Sequence, residues 1–342
     1  EHLLDGALEP ALDKHLEYIS KLSEADRTDQ FFDFRVADIA MGSGHFLVSA
    51  IDRIERRFAI WLEQNPTPGI VRELKYLRDA AKNSLGDLAD TVTIEDGQLL
   101  RRMIARRCIY GVDLNSTSVQ LSQLSIWIHT FVPGLPLSLL DHNLIHGNSL
   151  VGVSSLEEIR KKFNEGQGTL FEVNAKNLLT EATEPLEKLA RISDSSIKDI
   201  EKGRTLMEEA QQKLAEIKSL CDIITTKPHA ISPDGALAGY MFENWSLQKN
   251  DVQNSSALKE AKAILEKVNP VHFPVCFPEV FLSKSEGFNV ILGNPPWEEA
   301  VVNEDKFWAR YSPGLAGMKA GEQEALKNEL REQRSDLVVE LK

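Results

Sequence analysis

An α/β fold built on a parallel sheet is the class the sequence predicts, and three observations carry it. Short apolar runs that read as buried strands occur at four places, "FDFRVADIA", "CIYGVDL", "LIHG" and "NVIL". Helical patterns separate the earlier ones, and alternation of this kind favours parallel order with right-handed crossovers. Each strand also runs into glycine or a polar side chain, and open α/β sheets hold ligands beyond those carboxyl ends.

The first thirty residues, including "HLLDGALEPALDKHLEYISKL", are amphipathic and helical. The first strand, within residues 32–40, ends in the glycine-rich turn "MGSGH". A helix is predicted over Phe46 to Leu62 with its charges on one face, followed by two more helical patterns between residues 65 and 107. The last of these ends in "LLRRMIARR", whose arginine doublets are expected on a solvated face. The second strand leads to Asn115-Ser116, a candidate N-cap, and to a helix that places Leu121, Leu124 and Ile128 three and four residues apart on one face. The short third strand follows and ends at Asn148.

Between the third and fourth strands lies a long insertion, about residues 151–270. Leu186, Leu189 and Ile192, then Leu206, Ala210, Leu214 and Ile217, fall at helical spacing, which predicts an antiparallel hairpin of two helices. Such an arm is expected to be a spacer or a docking surface.

Composition fits a soluble globular chain of 342 residues, 42% hydrophobic and 27% charged. No apolar run approaches the length of a bilayer span, and no cleavable signal pattern opens the chain. Cys108, Cys221 and Cys276 are far apart and odd in number, which speaks against a disulfide framework or a zinc site and suits a reducing cytoplasm. His129, His142 and His146 match no metal spacing and are expected to be structural. The chain begins at Glu1 inside a helical pattern and stops at Lys342 inside another, so it reads as a piece of a longer protein. Its net charge of −13 opposes binding to a polyanion unless positive charge is supplied locally or by other segments.

The strand ends carry the chemistry. The first offers Asp38 and the turn through Gly42 and Gly44, where the backbone can bend sharply and approach a ligand. No Lys-Ser/Thr follows, so it is not a P-loop, and by itself it reads equally well as a strand–helix turn. The second ends in Asp113, an acid that could bind vicinal ribose hydroxyls or simply cap a helix. The third ends in Gly147-Asn148, whose amide both donates and accepts. The fourth ends in Asn294-Pro295-Pro296-Trp297. Neither proline can donate a hydrogen bond and both fix φ, so the loop is stiff and presents bare carbonyls between an amide and an indole. Asn-Pro-Pro-aromatic arises by chance in roughly 0.3% of chains this long at ordinary composition.

Together these segments resemble S-adenosylmethionine-dependent adenine-specific DNA methyltransferases. "ADIAMGSGHFLVSAI" is similar to that family's cofactor motif, "YGVDLN" to its ribose-binding segment, "GNSLVG" to the segment beside the cofactor adenine, and "GFNVILGNPPW" to its catalytic loop. "LPLSLLDHNLIHGNSLVG" and "HFPVCFPEVF" resemble the type IIG restriction-modification methylases and related phage-defence proteins. The resemblance covers residues 1 to about 163 and 270–297. It implies a doubly wound, Rossmann-like methyltransferase sheet, incomplete at the C-terminus and interrupted by the helical insertion. Residues 1–150 would be the cofactor-binding half, 151–270 the arm, and 271–342 the fourth strand, catalytic loop and start of the target-base half.

By the same resemblance S-adenosylmethionine would be bound by Asp38, Ala40, Gly42, Gly44, Phe46, Asp113, Leu114 and Asn148, with Asn294, Pro295, Pro296 and Trp297 catalytic and no metal. The partner would be double-stranded DNA, engaged through the full-length protein, with other subunits of a restriction or defence system possible and no membrane. Two family features are absent. A Tyr-Tyr-Thr-Pro element is expected upstream of Glu1, and the remaining strands, a second stacking aromatic and a target-recognition domain beyond Lys342. The isolated chain is therefore expected to be weakly active or inactive. Related Asn-Pro-Pro-aromatic loops methylate RNA guanine or protein glutamine, and a non-catalytic scaffold is a further alternative.

Overall fold

The computed structural model describes residues 2–159, 184–186, 188–189, 192–226, 256–283, 286–294, 304–312, 314–334 and 337. In chain order the elements begin with α1 (His2–Ser20), α2 (Glu24–Gln30), β1 (Val36–Asp38), α3 (His45–Gln64) and α4 (Pro68–Leu85). They continue with α5 (Asp96–Arg107), β2 (Ile109–Asp113), α6 (Ser116–His129) and β3 (Leu144–His146). Then come α7 (Ile197–Thr226), α8 (Ser256–Leu265), α9 (Phe273–Cys276), α10 (Pro278–Phe281) and β4 (Val290–Leu292), and finally α11 (Glu304–Tyr311) and α12 (Ala320–Gln333). The chain divides into two compact units, Glu1–Asn294 and Pro295–Lys342.

Among the described residues of the larger unit, the strands form one four-stranded parallel sheet in the order β3–β2–β1–β4. Asp38 pairs in register with Gly111 on one side and Leu292 on the other, and Asp113 pairs with His146. Parallel order puts all four carboxyl ends along one edge. Strand alternation divides the core. Val36, Ile109, Leu144, Val290 and Leu292 join the large cluster formed with α1, α3 and α5. Ala37, Tyr110 and Val112 meet Val271, Phe277, Val280 and Phe281. The first strand is shorter than its apolar run. Phe31 and Phe34 are buried in the helical cluster outside the sheet, and the Asp38 side chain accepts from Ala40 N at 3.0 Å, turning the chain away.

The spacing in α6 does mark a shared face, and that face is on the outside. Leu121, Leu124 and Ile128 are exposed, while Val119, Ser122 and Ile126 are buried. A Cβ on Gly44 would lie 2.4 Å from Ser122 Oγ, so only a small side chain fits where α6 crosses the glycine turn, and that contact sets the helix rotation. One expectation is corrected, because the arginine doublets are not simply solvated. Arg102 is 4% exposed and donates to the Asp194 carbonyl at 3.0 Å. The Arg106 Nε lies 3.1 Å from Asp194 Oδ2, and its terminal nitrogens bond the carbonyls of Leu189 and Ile192. Burial pushes the Asp194 carboxyl above its ordinary range, against the pull of Arg106.

These arginines fasten the insertion to α5. Leu186 and Leu189 pack on Ala210 and Leu206, the contact expected of the hairpin, although much of its first helix lies outside the described residues. At the other end of α7, His272 is buried against Asp222, with Nε2 3.0 Å from Oδ1. The imidazole Nδ1 accepts from Val153 N at 3.1 Å, so the proton resides on Nε2 and is donated to Asp222.

A second, partly buried histidine pair gives a pH signature. His142 Nε2 is 2.9 Å from Glu279 Oε1. Burial lowers the His142 pKa, but the Glu279 carboxylate more than reverses this and leaves it above 6.5. Burial raises the Glu279 value, yet His142 and Arg35 outweigh it and leave it below 4.5. The pair thus stabilises the fold between those two folded-state values. The histidine share is complete below 6.5 and lost as pH rises through its raised value. The glutamate share is lost as pH falls through its depressed value. The melting-temperature advantage of wild type over His142→Gln is expected to be full just below pH 6.5 and to shrink as pH rises through the raised His142 value. A pH-independent difference would show that the charge on His142 contributes nothing.

In the smaller unit, α11 and α12 enclose a separate core of Trp308, Leu315 and Leu337, with Phe307, Leu326 and Leu330 packed against it. Lys327 pairs with Asp305 and Arg331 with Glu304, linking the two helices. No described helix is long and apolar enough to cross a membrane.

Candidate functional site

The site is built where β1, β2, β3 and β4 end. Asp38, the last residue of β1, is fully buried. Its Oδ1 takes the Ala40 amide, while its buried Oδ2 has no hydrogen-bond partner. Burial pushes the carboxyl up to about 6, with the neighbouring Asp113 adding to the rise and the Ala40 amide opposing it. A carboxylate held like this favours a ligand that brings positive charge or N–H donors.

Beyond Asp38 the chain leans on β2. Met41 N donates to Val112 O at 3.1 Å, and Gly42 N donates to Asp113 Oδ2 at 2.8 Å. Gly42 and Gly44 both have positive φ, 55° and 80°. Their surroundings differ. A Cβ on Gly42 would meet nothing within 4 Å, whereas Gly44 abuts Ser122. Gly42 therefore faces open space, while the backbone freedom of Gly44 serves the packing of α3 on α6. Phe46, in the first turn of α3, is half-buried, its ring 6.3 Å from that of His45.

Asp113 closes β2 and holds two loops. Besides the Gly42 amide it accepts from Asn115 N at 2.8 Å, and Asn115 caps α6 by accepting from Thr117 N at 2.9 Å. Leu114 between them is 64% exposed, and its carbonyl accepts from His146 Nε2 at 3.0 Å. At the end of β3, Asn148 Oδ1 turns back to accept from Leu150 N at 3.0 Å. Asn294 is exposed and lies two residues past Leu292, which is in register with Asp38. Pro295, Pro296 and Trp297 lie outside the described residues.

The fold thus brings Asp38, Ala40, Gly42, Asp113, Leu114, Asn148 and Asn294 to one sheet edge. Three other participants are not evident from motif reading. Gly111 lets the chain of Met41 cross β2, since a Cβ there would be 2.2 Å from the Met41 sulfur. A glycine inside a strand is the signal that could have found it. Ser122 Oγ is buried beside Gly44 without a hydrogen-bond partner. Asn269 donates to the His146 carbonyl at 3.0 Å. Among the described residues no cluster of His, Cys, Asp and Glu is arranged to hold a metal.

A mixed α/β chain with a small parallel sheet and polar loops at its carboxyl edge is consistent with a methyltransferase fold. Residues 107–335 match the Eco57I restriction-modification methylase family, and the chain belongs to that family. It is also 26% identical, over 335 residues, to a Methanocaldococcus jannaschii protein provisionally named a type II restriction enzyme and methyltransferase. That alignment covers 86% of this chain and 25% of the relative, so the chain spans about a quarter of the relative's length. No solved structure matches.

Proposed function

We propose that the chain is the core of an adenine-specific DNA methyltransferase that uses S-adenosylmethionine, within a larger restriction-modification or defence protein. The observation that carries this reading is the placement of Asp38, Asp113 and Asn294 at three adjacent strand ends in a member of a restriction-modification methylase family. The unpartnered Asp38 Oδ2 and the open face of Gly42 fit the cofactor. Asp113 would hold the ribose, and the exposed Leu114 with Asn148 would flank the adenine. Gly42, Ala40 and Phe46 would line the amino-acid end. Residues 1–150 would form this half, 151–270 the insertion, and 271–342 the catalytic strand and the start of the target-base half.

The bound cofactor supplies an electrophilic methyl group on a sulfonium. The protein must make a poor nucleophile competent, because the lone pair of adenine's exocyclic nitrogen is delocalised into the ring. Asn294 Oδ1 and the Pro295 carbonyl would accept its two N–H bonds and draw the nitrogen toward tetrahedral geometry, exposing the lone pair. This is orientation with electrostatic stabilisation. Pro295 and Pro296, whose rings fix φ, would keep the acceptors rigid, and Trp297 would stack on the base once it has left the duplex.

The deciding experiment is methyl transfer by the full-length protein from a labelled donor to DNA, RNA and protein substrates. Label on adenine N6 of DNA supports the reading, and label only on RNA or protein overturns it. Asp113→Ala is expected to weaken S-adenosylmethionine binding about tenfold or more in calorimetry, the cost of lost ligand hydrogen bonds. Unchanged affinity would remove Asp113 from the site. With 39 basic against 52 acidic residues, residues 1–342 alone are expected to bind duplex DNA weakly and without sequence preference. Submicromolar, sequence-selective binding in an anisotropy titration at physiological salt would locate recognition within them.

A further inference from the structure

The loops after β2 and β3 are joined by a relay that begins in the insertion. Asn269, just past α8, has φ 48°, a conformation that Asn tolerates better than most residues. Its Nδ2 lies 3.0 Å from the His146 carbonyl and 3.3 Å from His146 Nδ1. One amide hydrogen can serve each, so Nδ1 is an acceptor and the imidazole proton resides on Nε2. That is the proton His146 needs to donate to the Leu114 carbonyl at 3.0 Å. The chemistry of every atom in the chain Asn269–His146–Leu114 is therefore consistent with one tautomer.

The backbone reinforces the relay. Asn148 N donates to Asn269 O at 2.7 Å, and Val271 N lies 3.2 Å from Asn148 O and 2.9 Å from Val151 O. A Cβ on Gly147 would be 2.5 Å from Val271, and one on Gly152 would be 2.2 Å from the Val271 carbonyl oxygen. Both glycines of "GNSLVG" are thus seats for the segment that returns from the insertion. An ordinary loop connection needs no such fit. Leu114, the residue at the far end of the relay, offers water a large apolar side chain beside Asp113.

We propose that His146 and Asn269 are positioning residues that fix the Leu114 and Asn148 loops as the two walls of an adenosine-binding slot, so that the insertion's return segment sets cofactor affinity. This rests on the cofactor reading given above. His146 holds the Leu114 backbone while the side chain stays free to lie on a flat ring, and Asn269 fixes both His146 and the Asn148 backbone.

The test is calorimetry of S-adenosylhomocysteine and of adenosine with the full-length protein and its His146→Phe and Asn269→Asp variants. The first keeps a ring but removes both imidazole bonds. The second keeps the Asn-like backbone preference but removes the amide donors. Affinity for both probes is expected to fall about tenfold in each variant, with equal factors for the two probes because the loss is confined to their common adenosine part. The melting temperature without ligand is expected to change little, and amide exchange near Leu114 and Asn148 to quicken. If wild type binds neither probe, the cofactor reading fails. If wild type binds and both variants bind equally well, the relay has no positioning role. A loss of affinity that only tracks a fall in melting temperature makes the pair structural and overturns the proposal.

Discussion

On the function proposed above, Asn294→Ala in the full-length protein is expected to reduce adenine methylation about 100-fold or more, while S-adenosylmethionine affinity stays within about twofold of wild type, the result of losing one preorganised acceptor. The split follows from position. Asn294 belongs to the loop after β4, whereas the groups assigned to the cofactor come from the ends of β1, β2 and β3. Asn294→Asp keeps an acceptor at that position and is expected to retain more activity than the alanine variant. Single-turnover methylation of a DNA panel gives the ranking. Near-normal turnover by Asn294→Ala would show that the amino group is activated elsewhere.

Asp194→Asn is expected to destabilise the larger unit by about 3–5 kcal/mol, or roughly 10 °C in melting temperature, because it leaves buried guanidinium charge uncompensated. Asp194 is 1% exposed in its side chain and Arg106 is 7% exposed, so water cannot take over as a partner. Asn tolerates the positive φ of 49° at this position, which separates loss of charge from backbone strain. Adding Arg106→Met should restore part of the loss by removing the orphaned cation. Melting curves that superimpose on wild type for Asp194→Asn would mean that the ion pair is not a fastening of the insertion.

Some of this architecture was legible in the sequence because it is local. The strand–turn–helix grammar of "ADIAMGSGH" and "YGVDLNS" places Asp38, Gly42 and Asp113 without long-range information, and Asn115 declares itself as a cap. What depends on partners distant in sequence was not legible. The spacing of Leu121, Leu124 and Ile128 marks a face but not its direction, which the Gly44–Ser122 contact decides. Arg102 and Arg106 read as solvent charges until Asp194 and the carbonyls of Leu189 and Ile192 arrive from the insertion. The glycines of "GNSLVG" stand in a segment that resembles one beside a cofactor, yet their close neighbour is Val271. A glycine shows that something comes near; it does not say what.

The two ends of the insertion lie side by side. Val153 N meets His272 Nδ1 at 3.1 Å, and Phe273 N meets Val153 O at 2.9 Å. The chain therefore leaves and re-enters the α/β body through a gap bridged by adjacent hydrogen bonds, so the intervening length is nearly decoupled from the geometry of the sheet. For a closed flexible loop each doubling of length costs only about 0.6 kcal/mol. A change of length that leaves this doorway intact need not disturb the sheet, while moving the return segment by a fraction of an ångström at Gly147 and Gly152 would. Selection can remodel the outer reach of this excursion almost independently of the body that carries it, provided the doorway keeps its dimensions.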